Sequence, residues 1–118
     1  MRCQSVILTP LLLAAAPSHT SSEALMDRIE ATVQLPKGAW PLDEYGRYYA
    51  YSKPGEVLAI YLVPAKPLPK NLLKAGNRRW MGDAGDMPMI LDGGCTQVTI
   101  RSDVATNHFL SIFCNGVA

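Results

Sequence analysis

The sequence predicts an α+β domain in which one N-terminal amphipathic helix packs on a four- to five-stranded antiparallel sheet, after a cleavable signal peptide. Three observations lead there. Leu25, Met26, Ile29 and Val33 recur at helical spacing. Two runs rich in strand-forming residues, 47–51 and 57–63, flank a tight-turn sequence. Two more runs, 96–101 and 108–113, form a pair with a cysteine at each outer end.

The chain opens on Met1-Arg2, then an apolar run through Val6-Ile7-Leu8 and Leu11 to Ala16, interrupted by Pro10 and followed by small and polar residues. That is the n-, h- and c-region order of a secretory signal. The run is shorter than the roughly 20 apolar residues a bilayer span needs. Cys3 precedes it, so it does not suit a lipoprotein anchor. The expectation is a signal peptide over residues 1–20 and a single α+β domain over 21–118. The product is then soluble, periplasmic or secreted, with no transmembrane segment in the mature chain. The alternative is a buried N-terminal helix.

The mature chain of about 95 to 100 residues is enough for one modest core. The full sequence carries 11 Lys and Arg against 10 Asp and Glu. Losing Arg2 with the signal makes the mature chain neutral, which gives no general pull toward nucleic acid or membrane surfaces, and no nucleic acid is expected as the partner of an exported protein.

Thr20-Ser21-Ser22-Glu23 fits a capping box with Thr20 as cap. The apolar stripe follows, and Pro36 and Gly38 end the helix. Ala39-Trp40-Pro41-Leu42 is a connector whose tryptophan is expected to fold over the core edge. Residues 47–51 and 57–63 then form a hairpin around Lys53-Pro54-Gly55-Glu56. Proline presets φ at the second turn position and glycine accepts a positive φ at the third. The second strand is apolar on both faces, as expected of a central strand.

Residues 64–77 change character. Pro64, Pro67 and Pro69 cannot donate to a ladder, so this stretch is expected to be an excursion. Arg78-Arg79-Trp80-Met81 returns to strand character, and Gly82 to Pro88 is loop. The last pair closes through Asp103 to Asn107, residues that suit a four- or five-residue loop. Centring that loop between Val104 and Ala105 places Cys95 opposite Cys114, Ile100 opposite Phe109 and Thr96 opposite Phe113. Val98, Ile100, Phe109 and Phe113 then share the core face, and the cysteines share the other with Leu110 and Ile112. A one-residue bulge would flip that assignment for one strand. A Cys95–Cys114 disulfide suits an exported protein and would stabilise by about 3 kcal/mol. A helix packed across such a meander is a cystatin-like layer pair, an analogy of architecture alone.

Tyr45-Gly46-Arg47-Tyr48-Tyr49-Ala50, Arg78-Arg79-Trp80, Asp92-Gly93-Gly94-Cys95 and Cys114-Asn115-Gly116 together resemble a group of small exported bacterial proteins of unknown function. The resemblance spans most of the mature chain and implies export and a shared fold. The basic excursion departs from it.

Catalytic sets are hard to assemble. His19 lies in the signal, which leaves His108 without a serine positioned to use it. Asp83, Asp86 and Asp92 cluster in a glycine-rich loop, a carboxylate group that would suit a small hydrolase and equally suits turns. Met81, Met87 and Met89 with His108 raise a soft-metal reading against the commoner role of methionine as core filler. No cofactor and no metal site is expected. The distinctive surface is basic: Lys66, Lys70, Lys74, Arg78 and Arg79, with Trp80 beside them. Such a set suits an anionic glycan, a lipid headgroup or an acidic protein surface. It equally suits a solvated loop that guards a sheet edge. Replacing these residues is expected to leave stability nearly unchanged. The sequence therefore favours a non-enzymatic binding or interaction module of the cell envelope over a hydrolase.

Overall fold

In a computed structural model, residues 20–90 and 93–116 are described. The expected signal segment lies outside the described residues except for Thr20, as does Asp92.

Helix α1 spans Ser22–Thr32. Its cap is Ser21, whose Oγ accepts from Ala24 N at 3.1 Å. The cap is therefore one residue later than expected. A capping box at Thr20 would need the Glu23 carboxylate to reach back, and that carboxylate instead binds Arg78. Leu25, Met26 and Ile29 are buried, while Val33 ends the helix half-buried against the same core.

Five strands follow: β1 (Gly46–Lys53), β2 (Glu56–Leu62), β3 (Arg78–Trp80), β4 (Gln97–Asp103) and β5 (His108–Cys114). The sheet order is β3-β1-β2-β4-β5. β1 and β2 form the expected hairpin, with Gly55 at φ +82° in its turn. β2, β4 and β5 continue antiparallel. β3 is the exception, parallel to β1 with Arg47 beside Arg78 and Tyr49 beside Trp80. This corrects the all-antiparallel expectation, and connectivity explains it. β2 ends at Leu62 beside Gly46, where β1 begins. The chain from 63 to 77 returns to that same end, since Arg47 N donates to Asn77 O at 2.9 Å. A strand starting there must run in the direction of β1.

The excursion is a cover. One face of the sheet carries Tyr45, Tyr49, Tyr61, Val98 and Ile100 against α1. The other carries Tyr48, Ala50, Ile60 and Leu62, buried beneath Leu73 of the excursion and Met87 of the following loop. Leu73 N donates to Tyr48 Oη at 2.7 Å. The approach is close enough that a Cβ on Gly46 would lie 2.9 Å from Leu73 O, so glycine is required there.

The last hairpin closes differently from the expectation. Asp103 accepts from Thr106 N and Oγ1, and Asn107 takes φ +57°, so the loop centres one residue later. Asp103 pairs with His108 and Ser102 with Phe109; beyond them Arg101 pairs with Ser111 and Ile100 with Ile112. Leu110 is the extra residue of a β-bulge. The expected Ile100–Phe109 and Thr96–Phe113 pairs are absent. Past the bulge the faces exchange: Ile112 and Cys114 pack on the core, and Phe113 is 49 % exposed. Cys95 and Cys114 are nonetheless bonded, with Cα atoms 4.5 Å apart. The ladder partner of Cys114 is Val98, but Gly94–Thr96 coil into a 3-10 turn. That turn advances about 2 Å per residue against about 3.3 Å in a strand, and draws Cys95 back alongside Cys114.

The bulge sets an order among substitutions. Ile112→Ala should cost about 1 to 2 kcal/mol, below the roughly 2 to 5 kcal/mol of a fully buried truncation because Ile112 is half-buried. Phe113→Ala should cost less than about 0.5 kcal/mol. Urea denaturation of both variants measures this, and the reverse order would place Phe113 in the core.

Candidate functional site

The five cations of the basic stretch serve different ends. Arg78 lies on the helix side of β3. Its Nη2 bonds Asp27 at 2.7 Å and Glu23 at 2.8 Å, and its Nη1 bonds Glu30 at 3.0 Å. The hydrogen bond it donates to Asp27 leads in raising its already high pKa, so it stays charged at every accessible pH. Arg78 is thus a clamp between β3 and α1.

Glu30 is the centre of that clamp. Its Oε2 also accepts from Arg47 Nε at 3.1 Å and from Tyr49 Oη at 2.6 Å. Tyr49 and Tyr61 hydroxyls are 2.6 Å apart. A carboxylate only accepts, so Tyr49 donates to Glu30 and Tyr61 donates to Tyr49. Burial first, then the neighbouring Tyr61 and Glu30, pushes the Tyr49 pKa far up; burial does the same to Tyr61. Both phenols remain protonated, and both are sealed from solvent. The network holds structure and offers no nucleophile.

Trp80 is also structural. It stacks on Tyr49 with ring centroids 6.5 Å apart and planes 2° from parallel, and meets Tyr51 edge-on. Arg79 and Lys70 are exposed and form no ion pair among the described residues.

Lys66 and Lys74 stand apart. They flank a groove of about 570 Å³ whose other lining residues include Trp40, Glu44, Val63 and Leu68. Neither lysine, nor Glu44, has an ion-pair partner among the described residues. Trp40 is 45 % exposed, so the expected fold over the core edge is only partial. Its position is fixed from the backbone. Trp40 N donates to Tyr45 Oη at 3.1 Å, and Tyr45 Oη donates to Cys95 O at 2.6 Å. Burial raises the Tyr45 pKa, which keeps that donor in place. The opposite wall is the excursion, stiffened by Pro64, Pro67 and Pro69. A second hollow of about 410 Å³ shares Val63, Pro64 and Ala65 and extends toward Leu72 and Ile90.

The other candidates are not brought together. Asp83 accepts from Gly85 N at 2.9 Å in a turn, Asp86 is exposed, and neither lines either hollow. Met87 is buried under the sheet, Met89 is exposed, and His108 sits opposite Asp103 at the last hairpin's turn. Among the described residues no group of three or more His, Cys, Asp or Glu could hold a metal ion. No helix among them is long and apolar enough to cross a membrane.

Sequence reasoning missed Trp40 and Glu44 as site residues. The available signal was a large aromatic in a connector without periodicity. Compared with protein-family models, curated proteins and solved structures, the chain matches none.

Glu56 is 6 % exposed, covered mainly by its own partners near the surface. Arg101 grips it with two bonds of 3.0 and 3.1 Å, and Ser52 Oγ donates at 2.7 Å. Arg101 and then Ser52 lower its pKa from 4.5 to about 2. A depressed carboxylate contributes stability above its unfolded pKa and loses it as pH falls through the folded one. The denaturant midpoint of the wild type should therefore drop between pH 4.5 and 2. Glu56→Gln should flatten that part of the profile, and identical profiles would disprove the pairing.

Arg78→Ala should cost about 1 to 3 kcal/mol, as expected for charge-assisted hydrogen bonds. Arg79→Ala should stay within about 0.5 kcal/mol. Thermal or urea melts of the two variants measure this. Equal effects would mean that the clamp contributes nothing, and the uniform tolerance expected from sequence would then hold.

Proposed function

We propose that the protein is an exported, non-enzymatic binding module of the cell envelope that takes an anionic ligand in the Trp40 groove. One observation carries the reading: Lys66 and Lys74, with no ion-pair partner among the described residues, line a largely apolar groove together with the exposed Trp40 and with Glu44. Ligand sites are mostly apolar clefts with a few placed polar or charged groups, and here the groups include two cations. The basic stretch matters as a site through Lys66 and Lys74. Arg78 is already committed to α1, while Arg79 and Lys70 add a weaker surrounding field.

Export is supported by the signal-like N-terminus and by the Cys95–Cys114 bond, since disulfides persist in oxidising compartments. The resemblance to small exported bacterial proteins agrees. A helix across β1, β2, β4 and β5 supports the cystatin-like comparison as architecture. The hydrolase reading has less support, because Asp83 and Asp86 line neither hollow.

The test is titration of the protein with an anionic oligosaccharide, anionic vesicles and an acidic peptide at low and moderate salt. Binding should weaken with salt, since the Debye length falls from about 30 Å at 0.01 M to about 8 Å at 0.15 M. The Lys66→Ala, Lys74→Ala double variant should lose at least about tenfold in affinity, or about 1.4 kcal/mol. Arg79→Ala and Lys70→Ala should each lose less than about threefold. No binding at low salt, or binding indifferent to the double variant, would overturn the reading.

A further inference from the structure

Resting on that groove reading, we infer that its ligand is a carboxylated sugar, a uronic-acid-type pyranose within a glycan. The inference turns on Glu44. A site for a bare anion has no use for a carboxylate, because like charge repels the ligand. Here Glu44 lines the same groove as Lys66 and Lys74, and no cation among the described residues neutralises it. The ligand must therefore present hydrogen-bond donors as well as negative charge.

A carboxylated pyranose presents both, together with an apolar face. Its axial C–H groups match the exposed indole of Trp40, which offers a flat apolar surface with a negative π-face. Its ring hydroxyls donate to Glu44, which can only accept. Its carboxylate lies within the field of Lys66 and Lys74, each a flexible point charge able to follow it.

The competing occupants fit less well. An acyl chain seated in the groove would strip water from Glu44 without returning a hydrogen bond, an unfavourable exchange. A lipid headgroup held from above would leave the indole unused. An acidic peptide brings side-chain carboxylates toward Glu44 with few donors to offset them.

The sign of the Glu44 effect separates these cases. Isothermal titration at low salt would use four probes: a short oligogalacturonate, its carboxyl-reduced neutral counterpart, a glutamate oligopeptide and phosphatidylglycerol vesicles. The oligogalacturonate should bind most tightly and the reduced sugar at least about tenfold more weakly. Glu44→Ala should weaken oligogalacturonate by about tenfold while strengthening the glutamate peptide. Trp40→Leu should weaken oligogalacturonate severalfold. Its backbone bond to Tyr45 needs no indole, so folding is retained, and circular dichroism checks this.

Tighter binding of the peptide or vesicles than of the sugar would overturn the sugar assignment and leave an anion groove standing. So would stronger sugar binding in Glu44→Ala, or sugar binding indifferent to Trp40→Leu. Failure of all four probes in the wild type would overturn the groove reading with it.

Discussion

One carboxylate, Glu30, ties the helix to the sheet. The parallel register sets Arg47 beside Arg78 on neighbouring strands, with both guanidinium groups turned toward α1. Like charges so placed are unfavourable. Glu30 sits between them, and Asp27 and Glu23, about one and two turns earlier on the helix, complete the neutralisation of Arg78. The acids recur at helical spacing beside the apolar stripe, so the helix presents a greasy face to the core and an acidic flank to β1 and β3. Tyr49 and Tyr61 extend the network inward and leave no hydroxyl unsatisfied. Such a network specifies one docking of the helix, since a rotated helix would strand buried charge.

The second constraint comes from β2. Its Val57, Ala59 and Tyr61 pack on the helix side, and its Ile60 and Leu62 on the other. A strand apolar on both faces needs two covers, and the chain has only one α-helix among its described residues. The excursion and the loop after β3 supply the second through Leu73 and Met87. This fixes the path of the excursion, and with it the place where Lys66 and Lys74 emerge.

Much of this was legible in the sequence. The helix, the first hairpin and the central strand follow from periodicity and turn chemistry; the cysteine pair is expected from a register the last hairpin does not have, and forms because Gly94–Thr96 coil. The rest depended on distant contacts. A three-residue strand has no period of its own, so nothing local marks β3 as parallel. The loop held by Asp103 and Asn107 moves the pairing by two residues and keeps the faces, whereas the one extra residue at Leu110, which nothing local in the sequence marks, exchanges Ile112 for Phe113 in the core. The lysines were visible as a cluster, but their division between groove and surface was not. Trp40 and Glu44 lie more than twenty residues from Lys66, and only the folded excursion brings them together.

The sheet edges bear on where binding happens. A long flat edge invites another strand, and both edges here are blunted. β3 is three residues long, and β5 carries the bulge and ends in the disulfide. Recognition by strand addition is thereby disfavoured, which agrees with the proposed groove at the end of the sheet where β1 begins and β2 stops. That end is braced on both sides of the groove. Tyr45, at the entry to β1, reaches Cys95 O and Trp40 N with one hydroxyl, and so couples the disulfide-bearing turn to one wall of the groove. Leu73 anchors the segment that carries the other wall through Tyr48. A groove with both walls pinned to the sheet loses little conformational freedom when a ligand enters, and that preorganisation favours affinity at a site with few polar groups.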